Sequence, residues 1–109
     1  MIKNEYKVTS ITISGEAKCF CPLGQDWYTN RFTMELQPDE VIPDYCEIDR
    51  YIAENINGKH YIIEEAVKIL YEYLASTYAP DFLRVSSSVT DATHCAVVVA
   101  REGNCTGWN

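Results

Sequence analysis

The stretch YIIEEAVKILYEYLASTY, residues 61–78, decides how the rest of the chain must be arranged. Ile63, Ala66, Val67, Leu70, Leu74 and Tyr78 recur at three- and four-residue intervals, with Glu64, Lys68 and Glu72 alongside. That spacing predicts one amphipathic helix with a single apolar stripe. Asn57-Gly58 precedes it and Pro80 lies just beyond its end.

A second, shorter helix is predicted upstream, over residues 45–56. Asp44 suits its N-cap, and Glu47 stands where a capping box would return a hydrogen bond. Ile48, Tyr51, Ile52 and Ile56 then fall on one helical face. On either side of this helical pair the period changes to two. Residues 6–14 (YKVTSITIS) and 28–36 (YTNRFTMEL) alternate as half-buried strands do, and Gly15 is expected to end the first. A loop over residues 16–27 would join them, and residues 37–43, with two prolines, read as a turn or crossing segment. Downstream, residues 82–90 and 93–101 read as two more strands around a tight Asp91-Ala92 hairpin, with a loosely held tail over 102–109. The order is ββααββ. An α+β layer, with both helices on one face of a four-stranded antiparallel sheet, satisfies every amphipathic pattern at once.

At 109 residues this is a single domain, with a core over about 6–101. A core of that size leaves surface for self-association, so a homo-oligomer is expected. The net charge is −7, and the nine Lys and Arg residues are scattered. Phosphate backbones are gripped by clustered cations, so extended contact with nucleic acid is disfavoured. Five cysteines, an odd number, do not form a disulfide framework in a chain that has a core. Met1-Ile-Lys-Asn-Glu5 is charged where a signal peptide needs an apolar run, and no apolar stretch approaches the roughly 20 residues that span a bilayer. The expectation is a cytoplasmic protein with reduced thiols and no membrane contact, and a coincidental sequon at Asn104-Cys105-Thr106.

Chemistry concentrates in Cys19-Phe20-Cys21-Pro22-Leu23-Gly24-Gln25-Asp26-Trp27. An accessible cysteine in a glycine-containing loop can act as a nucleophile through its thiolate. A carboxylic acid nearby can deliver a proton, and an aromatic gives a flat heterocycle a stacking surface. Each residue also has a plainer reading: Cys21 as a small buried hydrophobe, Asp26 as a turn residue, Trp27 as packing.

Cys21-Pro22, then Gln25 and Asp26 before an aromatic and a strand, resembles the Cys-Pro…Gln-Pro-Asp-aromatic motif of the 7-cyano-7-deazaguanine (nitrile) reductases, the QueF family of queuosine metabolism. The ββααββ order is similar to that family's tunnelling fold, which GTP cyclohydrolase I and the pterin synthases share. Ile62-Ile63-Glu64-Glu65 resembles the family's His-Glu pair, and the likeness covers about residues 10–101. It implies that Cys21 adds to a nitrile carbon to give a thioimide and that Asp26 protonates the nitrogen. It also implies that Glu64 holds a 7-deazaguanine, purine or pterin-like base, in pockets between subunits, and that NADPH supplies hydride.

The chain departs from the family pattern at three places. The Cys-to-Asp spacing is shorter. Ile63 replaces the His, leaving His60 as a stand-in. Asp44-Tyr45-Cys46-Glu47-Ile48-Asp49-Arg50 stands where reductases carry a Ser/Lys-rich nicotinamide motif. A QueF-like branch also lacks that motif; in it an amine resolves the thioimide, on a tRNA substrate, as an amidinotransferase. Glu64 and Glu65 both suit the positive end of a helix dipole, and Glu64 lies nearer the apolar stripe. Cys19, Cys21, Cys46, Cys95, His60 and His94 are numerous enough for zinc but lack its spacings, so no metal is expected. His94 and Cys95, adjacent on a strand, would face opposite ways, so that at most one joins any site. Pterin chemistry of the cyclohydrolase or aldolase kind, and a binding module without turnover, are the remaining readings.

Overall fold

The computed structural model describes residues 2–106. Its elements are β1 (Ile2–Lys3), β2 (Ile11–Cys21), β3 (Asp26–Gln37), β4 (Val41–Ile42), α1 (Tyr45–Asn55), α2 (Ile63–Tyr78), β5 (Phe82–Val89) and β6 (Val97–Gly103). The four long strands form one antiparallel sheet in the order β2-β3-β5-β6, and β1 pairs with β4 in a two-stranded ribbon. Both helices cover the same face of the sheet. Along β3 the residues Tyr28, Asn30, Phe32, Met34 and Leu36 are buried, and along β5 so are Leu83, Val85, Ser87 and Val89. They meet Ile48 and Ile52 of α1 and Ala66, Val67, Leu70 and Leu74 of α2 in one core. No helix among the described residues is long and apolar enough to cross a membrane.

Several stretches differ from the sequence expectation, each for a local reason. Residues 6–10 are not strand. The Asn4 side chain accepts from Val8 N and donates to Val8 O, both at 3.1 Å, closing a loop in which Lys7 takes φ 56°. Gly15 does not end the first strand but lies inside β2. A Cβ there would stand 3.1 Å from Ile52 Cδ1, so the glycine lets α1 approach the sheet. The strands therefore pair from Ile11↔Leu36 to Cys21↔Asp26, and the expected long loop shrinks to residues 22–25. Gln25, in the left-handed region at φ 57°, closes that turn through Gln25 N to Cys21 O at 2.7 Å.

At the other end of the sheet, residues 90–96 form an open connection rather than a two-residue hairpin. Asp91 Oδ1 accepts from Thr29 N at 3.0 Å and so ties the connection back to β3. This bond holds the Asp91 carboxyl below its ordinary range. The chain does not loosen at 102. Glu102 and Gly103 belong to β6, and Cys105 is buried with its Sγ 3.4 Å from the Tyr71 hydroxyl. The last part of the expected tail, 107–109, lies outside the described residues.

Asp44 caps α1 as expected, accepting from Cys46 N and Glu47 N at 3.0 and 3.2 Å. Glu47 is engaged elsewhere. Its Oε1 accepts from the Tyr73 and Tyr78 hydroxyls of α2, at 3.1 and 3.3 Å. It links the helices to each other.

Candidate active site

At one end of the sheet a cavity of about 450 Å³ opens between the β2–β3 turn, the start of α2 and the 90–96 connection. Its lining includes Cys21, Asp26 and Trp27, from one hairpin, and Glu64, from far along the chain. Cys21 ends β2 and Asp26 begins β3, and the two are direct cross-strand partners. Residues so paired point to the same face, here the helix side of the sheet, which is why thiol and carboxyl share one wall. Glu64 reaches the cavity from the first turn of α2, while Glu65 does not line it.

The two cysteines of β2 have separate surroundings. Cys19 is fully buried, donating to Ile56 O at 3.3 Å while its sulfur accepts from Asn30 Nδ2 at 3.4 Å. Ser87 completes that buried chain by donating to Asn30 Oδ1 at 2.8 Å. Burial pushes the Cys19 thiol up, so it remains a protonated structural group. Cys21 is only half-buried, and its sulfur accepts the N–H of Gly24 at 3.4 Å.

A second bond holds the two sides of the cavity together. Tyr28, two residues after Asp26, donates its hydroxyl to Tyr61 O at 2.6 Å, just before α2 begins. Burial, above all, raises the Tyr28 phenol well beyond its usual range, so it stays a donor.

Trp27 lies on the other face of β3. It packs edge-on against Phe20, with ring centroids 5.5 Å apart, and reaches the cavity from its rim. His60 does not line the cavity; its ring sits 5.0 Å from Phe20 and 6.4 Å from Trp27. His94 and Cys95 do line it, both of them, because residues 93–96 are not strand and the alternation of facing does not apply there. This corrects the reading that at most one could contribute. In the sequence Asp91 marks a turn there, but Thr90 and Thr93 on either side suit a strand.

The rest of the lining is mostly apolar, with Ile62, Ile63, Val97 and Val99 among it. Such a cavity suits a flat, largely neutral ligand. Among the described residues the acidic side chains on it are Asp26 and Glu64, with no Lys or Arg. That balance favours N–H-rich heterocycles over phosphorylated ones. Nor do any three His, Cys, Asp or Glu side chains among the described residues stand where they could hold a metal ion. The nicotinamide site implied at the start of α1 does not fit its ligand. Asp44 is committed to the cap and Glu47 to two phenols, so carboxylates stand where phosphates would need cations.

No protein-family model matches the chain, and no curated protein matches it in sequence. Solved structures do. An archaeosine synthase, QueF-Like, in its apo form superposes with a TM-score of 0.78 at 16% identity, over 87% of this chain and 93% of that one. A FolB protein from Vibrio cholerae O1 biovar El Tor, assigned as a dihydroneopterin aldolase, superposes with a TM-score of 0.71 at 18% identity, over 87% and 96%. The fold is the tunnelling fold. At these identities the likeness is one of architecture, and it agrees with the ββααββ order and with the single helix-covered face of the sheet. Within a tunnelling-fold chain, function rests on the residues of the cavity.

Proposed function

We propose that this tunnelling-fold chain is a cytoplasmic enzyme of deazaguanine metabolism that captures a 7-cyano-7-deazaguanine-type nitrile as a thioimide on Cys21. What supports this reading is one observation: Cys21, Asp26, Trp27 and Glu64 line a single apolar cavity. In the step proposed, the Cys21 S–H bond breaks, sulfur bonds to the nitrile carbon, and the thiol proton passes to a base in the cavity that later restores the one Asp26 gives up. The nitrogen takes a proton from the Asp26 carboxyl, and C≡N becomes C=N–H. Glu64 accepts hydrogen bonds from ring N–H groups and so fixes the base, while Trp27 covers one ring face. A second copy of the chain would close the rim, where Leu23 and Trp27 are 81% and 45% exposed.

Reductases resolve such a thioimide with hydride and amidinotransferases with an amine. The acidic start of α1 favours the amine, as does the likeness to an archaeosine synthase. Amine nitrogen attacks the thioimide carbon, the C–S bond breaks, and an amidine leaves with the Cys21 thiol restored. With a net charge of −7, a free base is a better substrate for this chain than tRNA. A second reading, pterin binding held by Glu64, draws on the likeness to a FolB protein.

The test is incubation with 7-cyano-7-deazaguanine followed by intact mass. An adduct of the nitrile's own mass that is absent in Cys21→Ala supports the proposal. No adduct at saturating nitrile overturns it, and a pterin that binds by calorimetry in that case establishes the second reading.

A further inference from the structure

We propose that His94, on the 90–96 connection, is the base that takes the proton from Cys21. The proposal rests on Cys21 being the nucleophile of the cavity and adds a residue to that chemistry. His94 lines the same cavity as Cys21, whereas His60, upstream of the Ile63-Glu64 pair, packs on Phe20 and Trp27.

The connection that carries His94 is anchored. Asp91 accepts from Thr29 N at 3.0 Å, and Arg31 Nη1 donates to Thr90 Oγ1 at 3.0 Å, so its first two residues are tied to β3. The imidazole is oriented as well: His94 Nδ1 stands 2.7 Å from Cys95 O. A carbonyl can only accept, so Nδ1 bears hydrogen and the lone pair of the neutral ring lies on Nε2. That nitrogen is free to receive a proton, directly when ligand closes the cavity or over one water molecule.

The groups facing His94 and Cys21 suit the charges that result. Asp26, from the start of β3, faces them as the acid, and Glu64 faces them from the start of α2. Tyr28, from β3, is a buried phenol, and Cys95, beside His94, adds a thiol. In the balanced step the Cys21 proton passes to His94 Nε2 while sulfur bonds to carbon. Asp26 gives its proton to the nitrogen, and the imidazolium then reprotonates Asp26. No external oxidant or reductant enters.

Alkylation by iodoacetamide tests this without any nitrile. The full chain, His94→Ala and His94→Asn are alkylated across neutral pH, and each cysteine is followed by peptide mass, with Cys46 on α1 as internal reference. The wild-type Cys21 rate should carry an inflection in the imidazole range. In both variants that inflection should vanish and the neutral-pH rate fall about 10-fold or more, as for the loss of a positioned base. Asn can still donate to the Cys95 carbonyl but cannot act as a base, so an Asn variant that keeps the wild-type profile makes His94 structural and overturns the proposal. A wild-type profile without the inflection overturns it equally. Failure of nitrile capture with this inflection present would sink the nitrile reading alone.

Discussion

The Tyr28 hydroxyl and the Tyr61 carbonyl, 2.6 Å apart, join the β3 side of the cavity to the start of α2. Cys21 and Asp26 stand on one side of that bond and Glu64 on the other. Tyr28→Phe removes the donor and keeps the ring, leaving the Tyr61 carbonyl without it. The expected loss is about 1 to 2 kcal/mol of unfolding free energy in urea. Thiol alkylation of Cys21 should be unchanged, because the β2–β3 turn is closed by its own bonds. Binding of the base should weaken, since Glu64 is then held less firmly. A variant as stable as wild type and binding equally well would remove this bond from the account.

Glu47 reads in the sequence as half of a capping box, but the structure uses it as an acceptor for two phenols. The substitution therefore predicts a different pattern from a lost cap. Asp44→Ala should cost about 1 kcal/mol, the usual value of an N-cap. Glu47→Ala should cost more, about 2 kcal/mol, because two hydroxyls between the helices lose a charged acceptor. Chemical unfolding of the two variants side by side checks the order. An equal or smaller loss in Glu47→Ala contradicts the tertiary role.

The helices were legible because a stripe such as Ile63–Tyr78 encodes its period and its end, though α2 starts at Ile63 and not at 61, and Asp44 marks a start by its own side chain. Strand ends were less legible. Gly15 looks like a terminator in isolation, and only the nearness of Ile52 explains a glycine inside β2. Thr93–Val97 alternates like a strand, yet Asp91 bonds to Thr29 from far away in sequence and holds that stretch off the sheet. Cys21, Asp26, Trp27 and Glu64 could be singled out because their residue types are unusual in their local setting. His94 and Cys95 stood out by type too, but not as residues that would both face the cavity. They reach the cavity through a connection whose path is set by tertiary bonds, and period-two reasoning had assigned them opposite faces.

Ala79 ends α2 in the left-handed region at φ 41°, its N–H bonded to Ala75 O at 3.0 Å. A Cβ is strained there, and glycine is the residue that helix ends ordinarily use. Ala79→Gly should raise stability by about 0.5 to 1 kcal/mol, the relief of strain less the entropy of freeing the backbone. A rise in thermal midpoint without change in the unfolding slope with urea is the expected signature. A fall would mean that the backbone freedom gained by the unfolded chain outweighs the strain.

Alkaline pH offers a further check on the core, because burial raises the phenols of Tyr28, Tyr51, Tyr71, Tyr73 and Tyr78, that of Tyr71 to about 12. A folded pKa above the unfolded one means that the native state keeps protons which the unfolded chain releases. Stability is then full below the unfolded tyrosine value of about 10 and falls as pH rises past it. Each phenol that stays protonated removes at most about 1.4 kcal/mol per pH unit. Urea midpoints should therefore be level up to about pH 8, decline gently as the raised Cys19 thiol comes into play, and drop steeply between about pH 10 and 11. Tyr71→Phe, which cannot ionise, should make that drop shallower by one phenol's share. An equal slope in wild type and variant would mean that Tyr71 ionises alike in the folded and unfolded chain, contrary to its burial against Cys105.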